Sequence, residues 1–451
     1  MRKLHAKSAL LPDGWARDVA ITIDADGRIK SVCRNAPVDP AAQTVNALLP
    51  ALANLHSHAF QRALAGLTET RASQDDDFWS WRQTMYAFLP KLGPEAVRSI
   101  AAMVYAELAE SGFASVAEFH YLHHQPDGQP YEDLAEMAGQ ITAAAALSGI
   151  GLTLLPVAYA RNGFGGAPTS DAQKRFANTP ERLLKLREAC RKHLNRPDDV
   201  LGLAPHSLRA VSPDDLRELL QGAPDGPRHI HIAEQTREVE DCLAWSGKRP
   251  VEWLLENARV NERWCLVHAT HMSADETRAL AETNAVAGLC PTTEADLGDG
   301  LFNGVQWQSL GGRFGIGTDS HVRTDAAEEL RLYEWGQRLQ HRKRTLLTAP
   351  RTSNGRNLFE NAAYGGAQAL DRDSGAIQSG IFADLLSFDL SHACFAGRPP
   401  DTWLDSWIFA GDRSCIENVW SAGRLIVRNG RHVNSEKIRT DFAAAMTQLL
   451  A

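Results

Sequence analysis

The amino-acid sequence predicts an α/β fold: a closed (β/α)8 barrel carrying a small β-domain assembled from both ends of the chain. Three observations lead there. Eight short apolar runs bounded by turn signals alternate with segments of helical period, the pattern of parallel βα units. Both ends instead alternate apolar and polar residues around Asx-Gly pairs, the pattern of antiparallel hairpins. A length of 451 residues is about three average domains, and a barrel alone uses more than one such share.

Residues 1–47 supply the first β-segment, in which DVAITIDADGRIKSV turns at Asp26-Gly27. The barrel strands follow at 48–55 (LLPALANL), 114–119 (ASVAEF), 152–158 (LTLLPVA), 200–204 (VLGLA), 229–233 (HIHIA), 264–267 (WCLV), 285–289 (AVAGL) and 313–317 (RFGIG). Between them, 95–111 sets Val97, Ile100, Val104 and Leu108 on one helical stripe, and 180–194, 213–220, 251–257 and 273–282 also read as helices. Eight βα units favour a closed barrel, although counting alone does not exclude a doubly wound sheet. GIFADLLSFDL and VWSAGRLIVRNGRHV, with a second turn at Asn429-Gly430, return to hairpin patterning. Residues 1–47 plus 377–451 are therefore assigned to a composite β-sandwich domain, and 48–376 to the barrel.

Composition excludes several function classes. At 44% hydrophobic and 23% charged residues the chain is globular in character, not disordered or fibrous. A net charge of −8 with no basic block argues against nucleic acid as a partner. No uninterrupted apolar run reaches ~18 residues, and Pro12 and Asp13 break the N-terminus before a signal-like segment develops, so a soluble cytoplasmic protein is expected. The seven cysteines (Cys33, Cys190, Cys242, Cys265, Cys290, Cys394 and Cys415) are widely spaced without a C-x-x-C pair and read as free thiols.

In a parallel barrel the chemistry stands at the C-terminal ends of the strands. The first strand ends in His56-Ser57-His58, where alternation along extended chain turns both imidazoles to one side. The fifth ends in His231-Ile232-Ala233-Glu234, the sixth in His268 and the eighth in Thr318-Asp319-Ser320. Singly, each reads as a satisfied histidine or a helix-capping Asp. Together at four strand ends they point to a shared metal. His229 also has the parity to face inward.

With ANLHSHAFQRALAGLTE, FWSWR, EFHYLHH, APHSLRAV, HIHIAEQ and GTDSH, and the terminal GIFADLLSFD and VWSAGRLIVRNGR, the chain resembles the amidohydrolase superfamily over nearly its whole length. Within it the chain is most similar to the formimidoylglutamate deiminases of histidine degradation. The resemblance implies a metal-dependent TIM barrel and a metal set of His56, His58, His231 and Asp319. His231 is preferred to His229 because Glu234 follows it in the family's H-x-x-E arrangement. An N3O set suits zinc, with iron admitted by geometry. The fourth strand (VLGLAPHSLRAV) lacks the lysine that bridges two metals in some members, so one zinc ion per subunit is expected. The resemblance further implies Glu234 as proton shuttle, with His268 and Asp319 beside it, and Gln61, Arg82, Tyr121, His206 and Arg209 as the substrate-binding set. Arg82 lies on a long connection that can serve its own or a neighbouring subunit. The Trp79/Trp81 pair reads as packing of a surface helix or a dimer contact.

The implied substrate is a small anionic amidine, N-formimidoyl-L-glutamate, and the implied assembly a homodimer. Two other readings stand beside it: a related amidohydrolase deaminating a purine, pterin or other aromatic ring, and a non-catalytic barrel that keeps the fold for protein interaction.

Overall fold

A computed structural model describes residues 1–71 and 77–451. Four strands open the chain: β1 (Arg2–Leu11), β2 (Gly14–Ile23), β3 (Ile29–Cys33) and β4 (Gln43–Pro50). The barrel strands are β5 (Leu52–Ser57), β6 (Phe113–His120), β7 (Gly151–Ala158), the two short pieces β8 (Val200–Leu201) and β9 (Ala204–Pro205), β10 (Arg228–Ile232), β11 (Trp264–His268), β12 (Val286–Leu289) and β13 (Arg313–Ile316). Then come β14 (Leu385–Phe388), β15 (Ile416–Ser421), β16 (Arg424–Arg428) and β17 (Arg431–His432).

The barrel strands pair in parallel in chain order, in two arcs. Bridges between Leu203 and Arg228 and between Ser207 and His231 join the arcs at one seam, and Ser57 with Asp319 joins them at the other. Ligand-bearing strand ends thus form both seams of the ring. Buried on both faces, these strands are continuous apolar runs, which is why the sequence shows them. Helices Pro94–Glu110, Pro180–Cys190, Pro213–Gly222, Pro250–Asn257 and Ala274–Glu282 fall where periodicity places them. Thr179, Ser212 and Ser273 cap three of them with side-chain oxygens.

The apolar run at 48–55 is two strands. It breaks at Ala51: β4 pairs with β1 and β14, and β5 enters the barrel. Both halves are buried, so composition does not mark the crossing. The terminal strands form one hydrogen-bonded order, β17-β16-β15-β14-β4-β1-β2-β3. The Asn429-Gly430 turn joins β16 to β17 with φ of 52° and 73°, as a two-residue primed hairpin requires. The chain closes on a helix, Ser435–Leu450, that packs on Pro94–Glu110, within the segment 377–451 that the sequence assigns to the β-domain.

A buried ion cluster ties barrel to β-domain. Arg372 binds Asp384 at 2.6 and 3.0 Å and Asp198 at 3.3 Å, all three buried. Arg372→Ala should destabilise the fold by about 3–5 kcal/mol in chemical denaturation, because the buried Asp384 carboxylate loses its paired cation while Asp198 keeps Arg424.

Candidate active site

His56 and His58 leave the end of β5 on the same side, and His231 projects from the next seam. Their Nε2 atoms form a triangle of 3.1, 3.4 and 2.9 Å. The His58 Nδ1–H donates to the Phe119 carbonyl at 3.1 Å and the His231 Nδ1–H to that of His206 at 3.0 Å. Those bonds fix the tautomer that leaves each Nε2 a bare lone pair. Burial presses the His56 imidazole down to about 3 and lowers His58 and His231 as well, so all three are neutral near pH 7. Asp319 Oδ1 lies 3.5 Å from His56 Nε2 and 3.4 Å from His58 Nε2. Burial raises its carboxyl, yet the surrounding imidazoles, the protonated His268 among them, outweigh this and hold it well below the usual carboxylate range. The facing lone pairs of His58 and His231 and the Asp319 carboxylate repel one another unless a cation sits among them, and His56 brings a third imidazole nitrogen to the same point. Tetrahedral ligands ~2.0–2.1 Å from a metal stand ~3.3 Å apart, close to the spacing here. The donor set fits one divalent ion. His229, the other candidate, is fully buried and donates to the Ala369 carbonyl at 2.8 Å, away from the ligand cluster.

Gly317 lets β13 close onto this cluster: a Cβ there would stand 2.8 Å from the His56 Cβ and 2.9 Å from its backbone nitrogen. The strand ends bend sharply at the same level. Ala233, His268 and Asp319 all have positive φ (50°, 66° and 46°), conformations that non-glycine residues hold only under tertiary constraint and that gather at functional sites.

Glu234 follows the first of these bends, 5% exposed, with Oε1 3.8 Å from His268 Nε2 and Oε2 3.7 Å from an Arg209 nitrogen. Burial raises its carboxyl, and His268 and Arg209 restrain the rise. His268 is held by Glu294, which accepts its Nδ1–H at 3.2 Å. Its Nε2 is buried without a hydrogen-bond partner among the described residues and stands 3.7 Å from Asp319 Oδ2. Burial opposes charge on His268, but Glu234, Glu294 and Asp319 outweigh it and raise the imidazole to about 10. A cationic N–H donor therefore faces the cavity next to a carboxylate of raised pKa.

One cavity gathers His58, His231, Glu234, His268 and Asp319 with all five residues of the anticipated binding set, Gln61, Arg82, Tyr121, His206 and Arg209. His56 lies behind it, fully buried. Gln61 donates to the Tyr121 hydroxyl at 2.9 Å and Arg82 to the Tyr86 hydroxyl at 2.6 Å. Arg82 thus reaches the cavity of its own chain, carried by the helix Phe78–Phe88. Arg209 is poised between Glu234 and Glu238, and its Nε has no partner among the described residues. Sequence reasoning missed the walls: Phe78, Trp81, Tyr86, Tyr159 and Phe176 line the same cavity. Trp81 faces this interior, not the surface packing role expected of it, whereas Trp79 sits in an adjoining outer cleft with its ring near Arg82, Arg209 and Arg237. Glu294 was also missed, since it stands in a short helix after β12 with no spacing relation to His268.

The amidohydrolase family matches residues 47–426, and the N-terminal domain of formimidoylglutamate deiminase HutF matches residues 1–44. A formimidoylglutamate deiminase of Pseudomonas aeruginosa is 47% identical over 452 residues, spanning 100% of both chains. An 8-oxoguanine deaminase of the same species is 29% identical, covering 89% of this chain and 88% of its own. The solved structure of an amidohydrolase from Brucella melitensis superposes with a TM-score of 0.96 at 49% identity over 100% of both chains. The chain belongs to the amidohydrolase family and is a hydrolase of carbon–nitrogen bonds.

Proposed function

We propose that this protein is a zinc-dependent deiminase of histidine degradation, converting N-formimidoyl-L-glutamate and water to N-formyl-L-glutamate and ammonia. The observation that carries the reading is a cavity where His58, His231 and Asp319, with His56 behind them, and Glu234 stand beside two arginines, Arg82 and Arg209. In a chain of net charge −8, those guanidiniums make the mouth of the site locally cationic, as a dicarboxylate requires.

His56, His58, His231 and Asp319 would hold the metal, one ion per subunit, and zinc suits their N3O set. Bound there, it would supply Lewis acidity and bring the pKa of water toward ~7. Glu234 accepts the proton of the attacking water and returns it to the departing nitrogen, so the leaving group is ammonia and not an amide ion. His268, its orientation fixed by Glu294, donates its Nε2–H to the charge that builds up as the amidine carbon becomes tetrahedral. Arg209, Tyr121, Gln61 and His206 bind one carboxylate region and Arg82 the other. A cytoplasmic homodimer is the assembly that goes with this reading. No helix among the described residues is long and apolar enough to cross a membrane.

A second reading has one observation in its favour. The aromatic walls of Phe78, Trp81, Tyr86, Tyr159 and Phe176 also suit a flat ring, as in deamination of guanine or its oxidised form. Ammonia release from N-formimidoyl-L-glutamate and from guanine, compared as kcat/KM on the zinc-loaded protein, separates the two. The deiminase reading predicts turnover of the amidine alone; turnover of guanine alone would overturn it. Arg209→Ala should lower kcat/KM for the amidine by about 10²-fold or more while metal content stays at wild type. Loss of metal in that variant would make Arg209 structural.

A further inference from the structure

We propose that His392, Cys394 and Cys415 form a second metal site, outside the catalytic cavity, for a thiophilic d10 cation of the zinc class. The three ligand atoms converge in a triangle: His392 Nδ1 is 3.3 Å from Cys394 Sγ and 3.5 Å from Cys415 Sγ, and the sulfurs are 3.4 Å apart. Ligands arranged tetrahedrally around zinc at ~2.3 Å for sulfur and ~2.0–2.1 Å for nitrogen stand ~3.5–3.8 Å from one another, so the cluster needs to open by only a few tenths of an ångström.

Two further observations point the same way. The first is the tautomer of His392. Ser414 donates its single hydroxyl proton to Asp412 Oδ1 at 2.5 Å, so toward His392 Nε2, at 3.2 Å, its oxygen can only accept. The proton of the ring is therefore on Nε2, and Nδ1 presents a lone pair to both sulfurs, approached also by the Cys394 backbone N–H at 3.3 Å. An imidazole oriented from behind by a hydroxyl and a carboxylate is the outer arrangement of metal-binding histidines. The second is Gly411, where a Cβ would stand 2.8 Å from Cys415 Sγ and 3.3 Å from Cys394 Sγ. Its φ of −113° is open to any residue, so what glycine provides here is room at the sulfurs.

The site has an approach. Cys394 is half-buried, and a surface cleft bordered by His392, Cys394, Arg398 and Thr402 opens on it, leaving a fourth position for water. No member of the trio lines the catalytic cavity, and the catalytic ligands include no sulfur. On binding, each thiol becomes a thiolate and releases its proton to solvent, two protons per divalent ion.

The test is titration with cadmium of the phosphine-reduced full-length protein loaded with a single equivalent of zinc per chain. The site predicts one further equivalent per chain, two protons released, and thiolate-to-metal charge-transfer absorption that depends on Cys394 and Cys415. Cys394→Ser should remove the extra equivalent and the absorption and leave turnover unchanged. Gly411→Ala, which keeps every ligand, should weaken cadmium binding about tenfold or more. Uptake of no extra equivalent by the wild type, or absorption that survives in both Cys394→Ser and Cys415→Ser, would overturn the proposal.

Discussion

Glu234→Gln should retain its full metal content and lose turnover by about 10²–10⁴-fold in kcat. The substitution keeps the size of the side chain and an oxygen toward Arg209 Nη2, which lies 3.7 Å from Glu234 Oε2 in the native protein. What it removes is a group that can take a proton and give it back. Glu234 is in place for that task through its position after the positive-φ turn at Ala233, and the Glu238 carboxylate pins the turn by accepting the backbone N–H groups of Ala233 and Glu234 at 3.2 Å each. A helix-terminal carboxylate with only an electrostatic role would cost about 1 kcal/mol of stability on replacement and little activity. Metal analysis beside the kinetics distinguishes the cases: near-wild-type kcat with metal bound would remove Glu234 from the chemistry.

His231→Ala should abolish both metal and activity. The site then has two imidazoles and one carboxylate, and loss of a ligand itself exceeds the ~10–100-fold in affinity that changing its outer hydrogen-bond partner costs. The comparison variant is His229→Ala, two residues earlier on the same strand. Its imidazole donates to the Ala369 carbonyl and reaches no ligand, so its loss should lower thermal stability and leave the bound metal in place. Retention of metal by His231→Ala, measured by elemental analysis after dialysis, would contradict the ligand assignment.

The part of the site that was legible in the sequence is the part attached to strands. His56, His58, His231, His268 and Asp319 each follow an apolar run directly, and extended chain converts that adjacency into a common level at one end of the barrel. The residues missed are held differently. Glu294 lies 26 positions from its partner His268 and in sequence is an ordinary first-turn carboxylate. Trp81 and Tyr86 come from the helix Phe78–Phe88 on the long connection after β5, and Phe176 from the loop after β7; Tyr159 directly follows β7, and its adjacency to an apolar run was overlooked. The break at Ala51 was hidden for a related reason: β4 and β5 are both buried, so burial gives the same apolar letters on either side of a change of sheet. The terminal helix Ser435–Leu450 buries only Ser435, Ile438 and Leu449, too few to write a clear stripe. Cys394 and Cys415, 21 residues apart, carry no spacing motif at all.

In the proposed reaction water replaces nitrogen at the formimidoyl carbon while the glutamate nitrogen keeps that carbon. Product analysis of the zinc-loaded protein acting on N-formimidoyl-L-glutamate labelled at that carbon tests it most directly. One N-formyl-L-glutamate is expected for each ammonia released, with the label in the formyl group. Formation of glutamate with labelled formamide, which is cleavage of the other carbon–nitrogen bond, would contradict it.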